Sequence, residues 1–154
     1  PTEAEWEYAC RAGTKTRFHN GDKDEDLRAI GNIADASLKK KWVDVFWTMA
    51  WDDGHPFTSP VGKFKPNAFG LHDMHGNVWE WVEDCYVDSY KDAPSDGTAV
   101  KGEKDCRRVL RGGSWNNNPD NLRWPTNYRD VHAACESETS RPNDFRDIVR
   151  LAGR

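Results

Sequence analysis

The sequence has no long hydrophobic run. Its mean hydropathy is -0.93, and no stretch approaches the roughly 20 apolar residues that a helix needs to cross a bilayer. Membrane insertion by a helix is therefore excluded. Positive charge is not in excess either, with 22 Lys and Arg against 26 Asp and Glu and a net charge of -4. A broad phosphate-binding surface needs clustered cations, so nucleic acid is not an expected partner. Cysteine is sparse: Cys10, Cys85, Cys106 and Cys135 show neither CxxC nor CxxxC spacing. That spacing gives no support to a zinc knuckle or a thioredoxin-type pair. Buried free thiols are the expectation, with Cys85 and Cys106 the pair that could form one disulfide. The chain opens at Pro1 without an initiator Met, and its compartment is not readable.

What the sequence does have is aromatic surface, in 8 Trp, 6 Phe and 4 Tyr. Each such ring buries about 150–250 Å², enough for a few to build a core in a loop-rich domain. No internal repeat or linker divides residues 1–154, which are read as a single domain. Thr2 with Glu5 forms a capping-box pattern, Gly13 offers a left-handed stop, and a helix is predicted over about residues 3–11. Its apolar side is Trp6, Ala9 and Cys10. Residues 14–65 read as mostly loop, with the charged run 23–26 a solvated face. Strand-like runs follow at 78–82, 107–111 and 144–151.

Three segments carry a resemblance: PTEAEWEYA at residues 1–9, GLHDMHGNVWEW at 70–81 and RVLRGGSW at 108–115. Together they resemble the formylglycine-generating-enzyme, or sulfatase-modifying-factor, domain, a subgroup of the C-type lectin fold. Family members normally carry a substantial segment ahead of the first motif, whereas this sequence starts at it. The resemblance implies an α+β fold of two helices, small twisted antiparallel sheets and long loops, often fastened by calcium. It places the two copper-binding cysteines of the oxidase members at Asn117 and Leu122. Neither supplies the thiolate that copper needs, so no copper and no catalytic residue are expected. His72 and His75 lack the histidine and carboxylate pattern of an iron-binding relative.

A narrower resemblance is to the variable proteins of diversity-generating retroelements, which use this fold as a display scaffold. Their variable region opens near an RGGSW motif, is rich in asparagine and closes on a strand similar to FRDIVRLA at 145–152. It implies a variable, ligand-binding region at about 111–151 that recognises a protein or cell-surface ligand. The candidate contacts are Asn116, Asn117, Asn118, Asp120, Asn121, Trp124, Thr126, Asn127, Tyr128, Asp130, Val131 and His132. An undiversified lectin-like domain and an oxidase relative are the competing readings.

Calcium takes six to eight oxygen ligands, which irregular loops provide. The resemblance implies two sites. In the first, Asp73 and Glu80 offer side chains while Gly76 and Val78 offer carbonyls. In the second, Asn32 and Asp53 offer side chains while Ile33 and His55 offer carbonyls. Trp79, Trp81 and Trp115 sit inside the motifs and are expected in the core.

Overall fold

The computed structural model describes residues 1–91 and 93–122. Helix α1, Glu3–Arg11, forms where the capping box predicts it. Glu5 N–H donates to Thr2 Oγ1 at 3.2 Å, and Thr2 N–H donates back to Glu5 Oε2 at 2.9 Å. The left-handed stop begins one residue early, at Ala12 with φ +46°, before Gly13 at +88°. Trp6 and Cys10, one turn apart, are buried against Met74 and Val82, while Ala9 is half-buried.

Strands β1, Glu80–Cys85, and β2, Arg108–Arg111, pair antiparallel with Glu80 opposite Arg111, Trp81 opposite Leu110 and Cys85 opposite Arg108. The first strand starts later than the 78–82 run suggests, because positive φ at Gly76 and Asn77 keeps that stretch in a turn. A register irregularity between Trp81 and Cys85 leaves both Asp84 and Cys85 buried. Glu80, Val82 and Asp84 are the alternate buried positions of β1, and its acids serve α1 directly. Asp84 Oδ2 accepts the Glu3 N–H at 2.6 Å, satisfying a first-turn amide at the positive end of the helix. Its Oδ1 accepts Val100 N–H at 2.8 Å.

Two expectations fail here. Cys85 and Cys106 are disulfide-bonded and not free thiols; their Cα atoms stand 5.7 Å apart, within the usual span of a bridge. Cys10 remains a buried free thiol. Trp79, Trp81 and Trp115 are half-buried, not core residues. The strand pairing brings the cysteines together across 21 residues, a distance local spacing does not reveal.

The supposed loop 14–65 also holds regular structure. A 3₁₀ turn covers Asp24–Ala29, and helix α2 covers Ala36–Lys41. Each is six residues long, too short to show a period. Asp35 starts α2 by accepting Ser37 N–H at 2.8 Å and Leu38 N–H at 3.4 Å. Phe18, Leu27, Ile30, Ile33 and Leu122 form the second buried cluster.

His75, fully buried, links the two clusters. Its Nδ1 lies 3.0 Å from Leu122 O, and its Nε2 lies 3.7 Å from Cys10 Sγ and 3.4 Å from His19 N. A carbonyl at Nδ1 requires a proton there, leaving Nε2 as an acceptor in the neutral ring. Burial pushes the pKa down to about 3, outweighing the Leu122 carbonyl, and nearby His19 lowers it further.

Acid should therefore act on the fold through His75. With a folded pKa near 3 against an ordinary 6.5, the unfolded chain binds the extra proton between those values. The resulting stability is present above pH 6.5 and is lost as pH falls toward 3. Thermal melts across that range should show a steeper loss for the wild type than for His75→Gln, and parallel curves would refute the assignment. Leu122→Ala, which opens a void in the second cluster, should cost about 2–5 kcal/mol in urea unfolding.

Candidate functional site

The first motif-derived constellation sits on a loop whose backbone is unusual. Asp73 and Asn77 adopt φ of +57° and +65°, a region that Asp and Asn enter more readily than most residues. Asp73 Oδ2 accepts Gly62 N–H at 2.8 Å, while Asp73 Oδ1 is buried with no partner. Burial pushes the Asp73 carboxyl up, and the Gly62 amide only partly offsets it. Glu80 accepts Trp6 Nε1–H at 2.5 Å. Its pKa is pushed up to about 7, chiefly by burial, with the Asp73 charge adding to the shift against the Trp6 bond. Two carboxylates that feel each other, one with an unpartnered oxygen, suit a cation. Gly76 and Val78 lie on the same turn between them.

In the second constellation, Asn32 Nδ2 donates to Phe57 O at 2.7 Å, tying Asn32 to the loop that carries Asp53 and His55. Asn32 Oδ1 and Asp53 Oδ2 are both buried and unpartnered. Asp53 Oδ1 accepts His55 N–H at 2.7 Å and lies 3.3 Å from Ser37 Oγ. Burial raises the Asp53 carboxyl, and the Asp35 charge adds to this against the bonds it accepts. Ile33 is buried in the adjoining cluster. The donor set of both constellations is hard oxygen, which fits calcium rather than a soft metal. Among the described residues no cluster of three His, Cys, Asp or Glu side chains gathers at one point, so carbonyl and amide oxygens would complete either shell.

Sequence reasoning missed Asp35, which takes Asp53 N–H at 2.6 Å while capping α2 and so fixes the Asp53 loop. The Asp-Ala-Ser order at residues 35–37 was the available signal. It also missed Ser59, whose buried Oγ has no partner.

The asparagine run is anchored at its start, where Trp115 N–H donates to Asn77 O at 3.1 Å. The Trp115 ring meets Phe57 edge-on at 5.3 Å. Asn117 Oδ1 accepts Ser114 N–H at 2.8 Å, and Ser114 Oγ lies 2.7 Å from Asn116 Oδ1 and 2.9 Å from Asn117 Oδ1. Asn118 Oδ1 accepts Asn121 N–H at 3.3 Å and caps a 3₁₀ turn over Pro119–Asn121. Asn116 and Asp120 are exposed, whereas Asn117, Asn118 and Asn121 are half-buried. Asp120 pairs with Arg17 at 2.8 Å. Trp124, Thr126, Asn127, Tyr128, Asp130, Val131 and His132 lie outside the described residues.

A cavity of about 280 Å³ opens between α1, β2 and the loop after β1, lined in part by Trp6, Trp79, Tyr90, Leu110 and Leu122. Its charged groups are engaged: Glu3 pairs with Arg111 and accepts Tyr90 O–H, and Asp84 holds two amides. No cysteine, histidine or serine lines it among the described residues.

The chain is similar to known proteins along most of its length. The family described as "Sulfatase-modifying factor enzyme 1-like domain" matches residues 1–140. The formylglycine-generating enzyme of Mycobacterium tuberculosis is 34% identical over 126 residues, covering 74% of this chain and 38% of that protein. The "Inactive C-alpha-formylglycine-generating enzyme 2" of Mus musculus is 34% identical over 117 residues, covering 75% and 30%. Among solved structures, PvdO from Pseudomonas aeruginosa has a TM-score of 0.60 at 43% identity, covering 77% of this chain and 41% of that one. Treponema denticola variable protein 1 has a TM-score of 0.59 at 31% identity, covering 80% and 38%. The chain spans less than two fifths of the length of the curated relatives it matches. With the match extending over residues 1–140, the chain belongs to the sulfatase-modifying factor enzyme 1-like domain family.

Proposed function

We propose that this domain is a non-catalytic, ligand-binding member of its family. It has a C-type lectin fold fastened by calcium, and its surface from Asn116 onward meets a protein or cell-surface ligand. The observation that carries the reading is the state of Asn117 and Leu122, the two positions that the resemblance sets against the copper-binding cysteines of the oxidase members. Asn117 spends its amide oxygen on Ser114, and Leu122 is packed into the second cluster. An amide committed to a turn and an apolar core residue offer copper no thiolate. The likeness to a variable protein supports display, and an inactive relative is in keeping with a domain that has shed chemistry. Copper-dependent oxidation of a cysteine-containing peptide by this chain would overturn the proposal in favour of an oxidase. A neighbouring reverse-transcriptase gene with an adenine-rich near-copy of the region encoding residues 111–151 would support diversification. Its absence would leave an undiversified binding domain.

The asparagines divide on structural grounds. Exchanging exposed Asn116 and Asp120 for serine, which removes a contact with Ser114 Oγ and the surface pair with Arg17, should cost less than about 1 kcal/mol. Asn117→Ala strands the Ser114 amide and should cost about 1–3 kcal/mol. Equal effects at the two places, read by urea unfolding, would sink the division between display and support.

Calcium enters the proposal through three buried oxygens that lack partners, Asn32 Oδ1, Asp53 Oδ2 and Asp73 Oδ1. Bound there, it would neutralise carboxylates that burial penalises and act on stability rather than on a reaction. A cation that binds only the folded state adds about 2.7 kcal/mol at a hundredfold excess over Kd. Chelation should therefore lower the melting temperature. Asp73→Ala and Asp53→Ala should each remove part of that difference, and an unchanged melt would exclude a structural calcium.

A further inference from the structure

The loop after α2 holds its apolar side chains outward. Trp42 and Val43 are 50% and 69% exposed, Phe46 is fully exposed, and Trp47 is 37% exposed. This knob is held by polar bonds at its base. Ala36 N–H donates to Trp51 O at 2.9 Å and Met49 N–H to Ala34 O at 2.8 Å, closing the loop. Lys39 Nζ donates to Val43 O at 2.7 Å and to Val45 O at 2.8 Å, fixing the turn within it. Lys40 reaches back to Asp52 at 2.5 Å. Residues 39–47 thus combine three lysines and one carboxylate, Asp44, with four exposed apolar side chains.

We propose that this knob is a shallow, peripheral anchor for a bilayer surface containing anionic lipid. The exposure of these side chains and the composition of the loop point to that occupant. Exposed apolar surface marks a contact site, and Phe46, fully exposed, stands clear of its neighbours where it can enter a headgroup layer. Tryptophan favours the headgroup boundary, where its ring is apolar and its N–H stays wet. Lys41, together with Lys39, whose ammonium is bonded only to carbonyls, meets anionic headgroups as the tip enters, while Lys40 stays paired with Asp52, and surface binding draws on both terms. Such a contact lies on the membrane and needs no spanning segment.

The test is flotation of the whole chain, at fixed calcium, with phosphatidylcholine vesicles made with and without phosphatidylserine. The chain should float with the phosphatidylserine vesicles, with tryptophan emission shifted to the blue. Phe46→Ser with Trp47→Ser should weaken binding more than about tenfold while leaving the melt unchanged. Lys41→Ser, which touches none of the bonds that shape the loop, should weaken it about fivefold. Failure of the wild-type chain to float would overturn the proposal. So would variants that bind as well as wild type, the result expected if calcium merely bridged acidic loops to lipid. A loss of self-association in the double variant without vesicle binding by the wild type would reassign the knob to a second copy of the chain.

Discussion

Two glycines allow the contact on which the domain depends. A Cβ at Gly31 would stand 2.1 Å from His75 O, and one at Gly76 would stand 2.0 Å from Asn32 O. Segments 31–33 and 75–77 therefore cross backbone against backbone, closed by Asn77 N–H donating to Asn32 O at 2.8 Å. A third segment joins them, since Gly76 N–H donates to Gly112 O and Trp115 N–H to Asn77 O. From this crossing lead β1, the asparagine turn and both cation constellations. Any side chain at Gly76 would meet carbonyl oxygen there and would strain a φ of +83° as well.

Buried and half-buried aspartates do much of what aliphatic side chains do in richer cores, and four of them fall into two groups. Asp35 and Asp84 are buried but accept backbone amides on both oxygens, so each ties distant segments at little electrostatic cost. Asp53 and Asp73 are incompletely served, each with one buried oxygen lacking a partner. Unpaired buried oxygen is expensive, and the two acids left short belong to the motif-derived constellations. Asp35, which the motifs did not mark, is fully supplied by the first turn of α2 and by Asp53 N–H. The difference separates carboxylates with both oxygens served from carboxylates with one oxygen left over.

Legibility followed the range of the interaction. Helix α1 was readable because its cap, its acidic first turn and its apolar pair all lie within one short segment. The paired strands were readable from composition, though β1 shifted because the preceding turn holds residues at positive φ that no periodicity reveals. Helix α2 was not readable, since its start depends on Asp35 and its length is a single short run. The disulfide was undecidable because it depends on a strand register set elsewhere. The three motif tryptophans were placed too deep: each has a buried sequence neighbour, but the pleat puts Trp81 on the opposite side from Glu80 and Val82. The candidate cation residues came from motif likeness alone, and only the structure attaches unpartnered oxygens to Asn32, Asp53 and Asp73.

The asparagine run shows why composition is a blunt guide to a binding surface. Asparagine suits display because it is polar and adaptable. It suits a tight turn for a different reason, since its amide oxygen mimics a backbone acceptor. Exposed and turn-forming asparagines stand within six residues, with Asn116 exposed and Asn117 and Asn118 accepting amides. A surface built this way cannot vary at every position without loosening its own support. Its freedom lies in the side chains that face water, and the Ser114 to Leu122 turn limits how many of them there are.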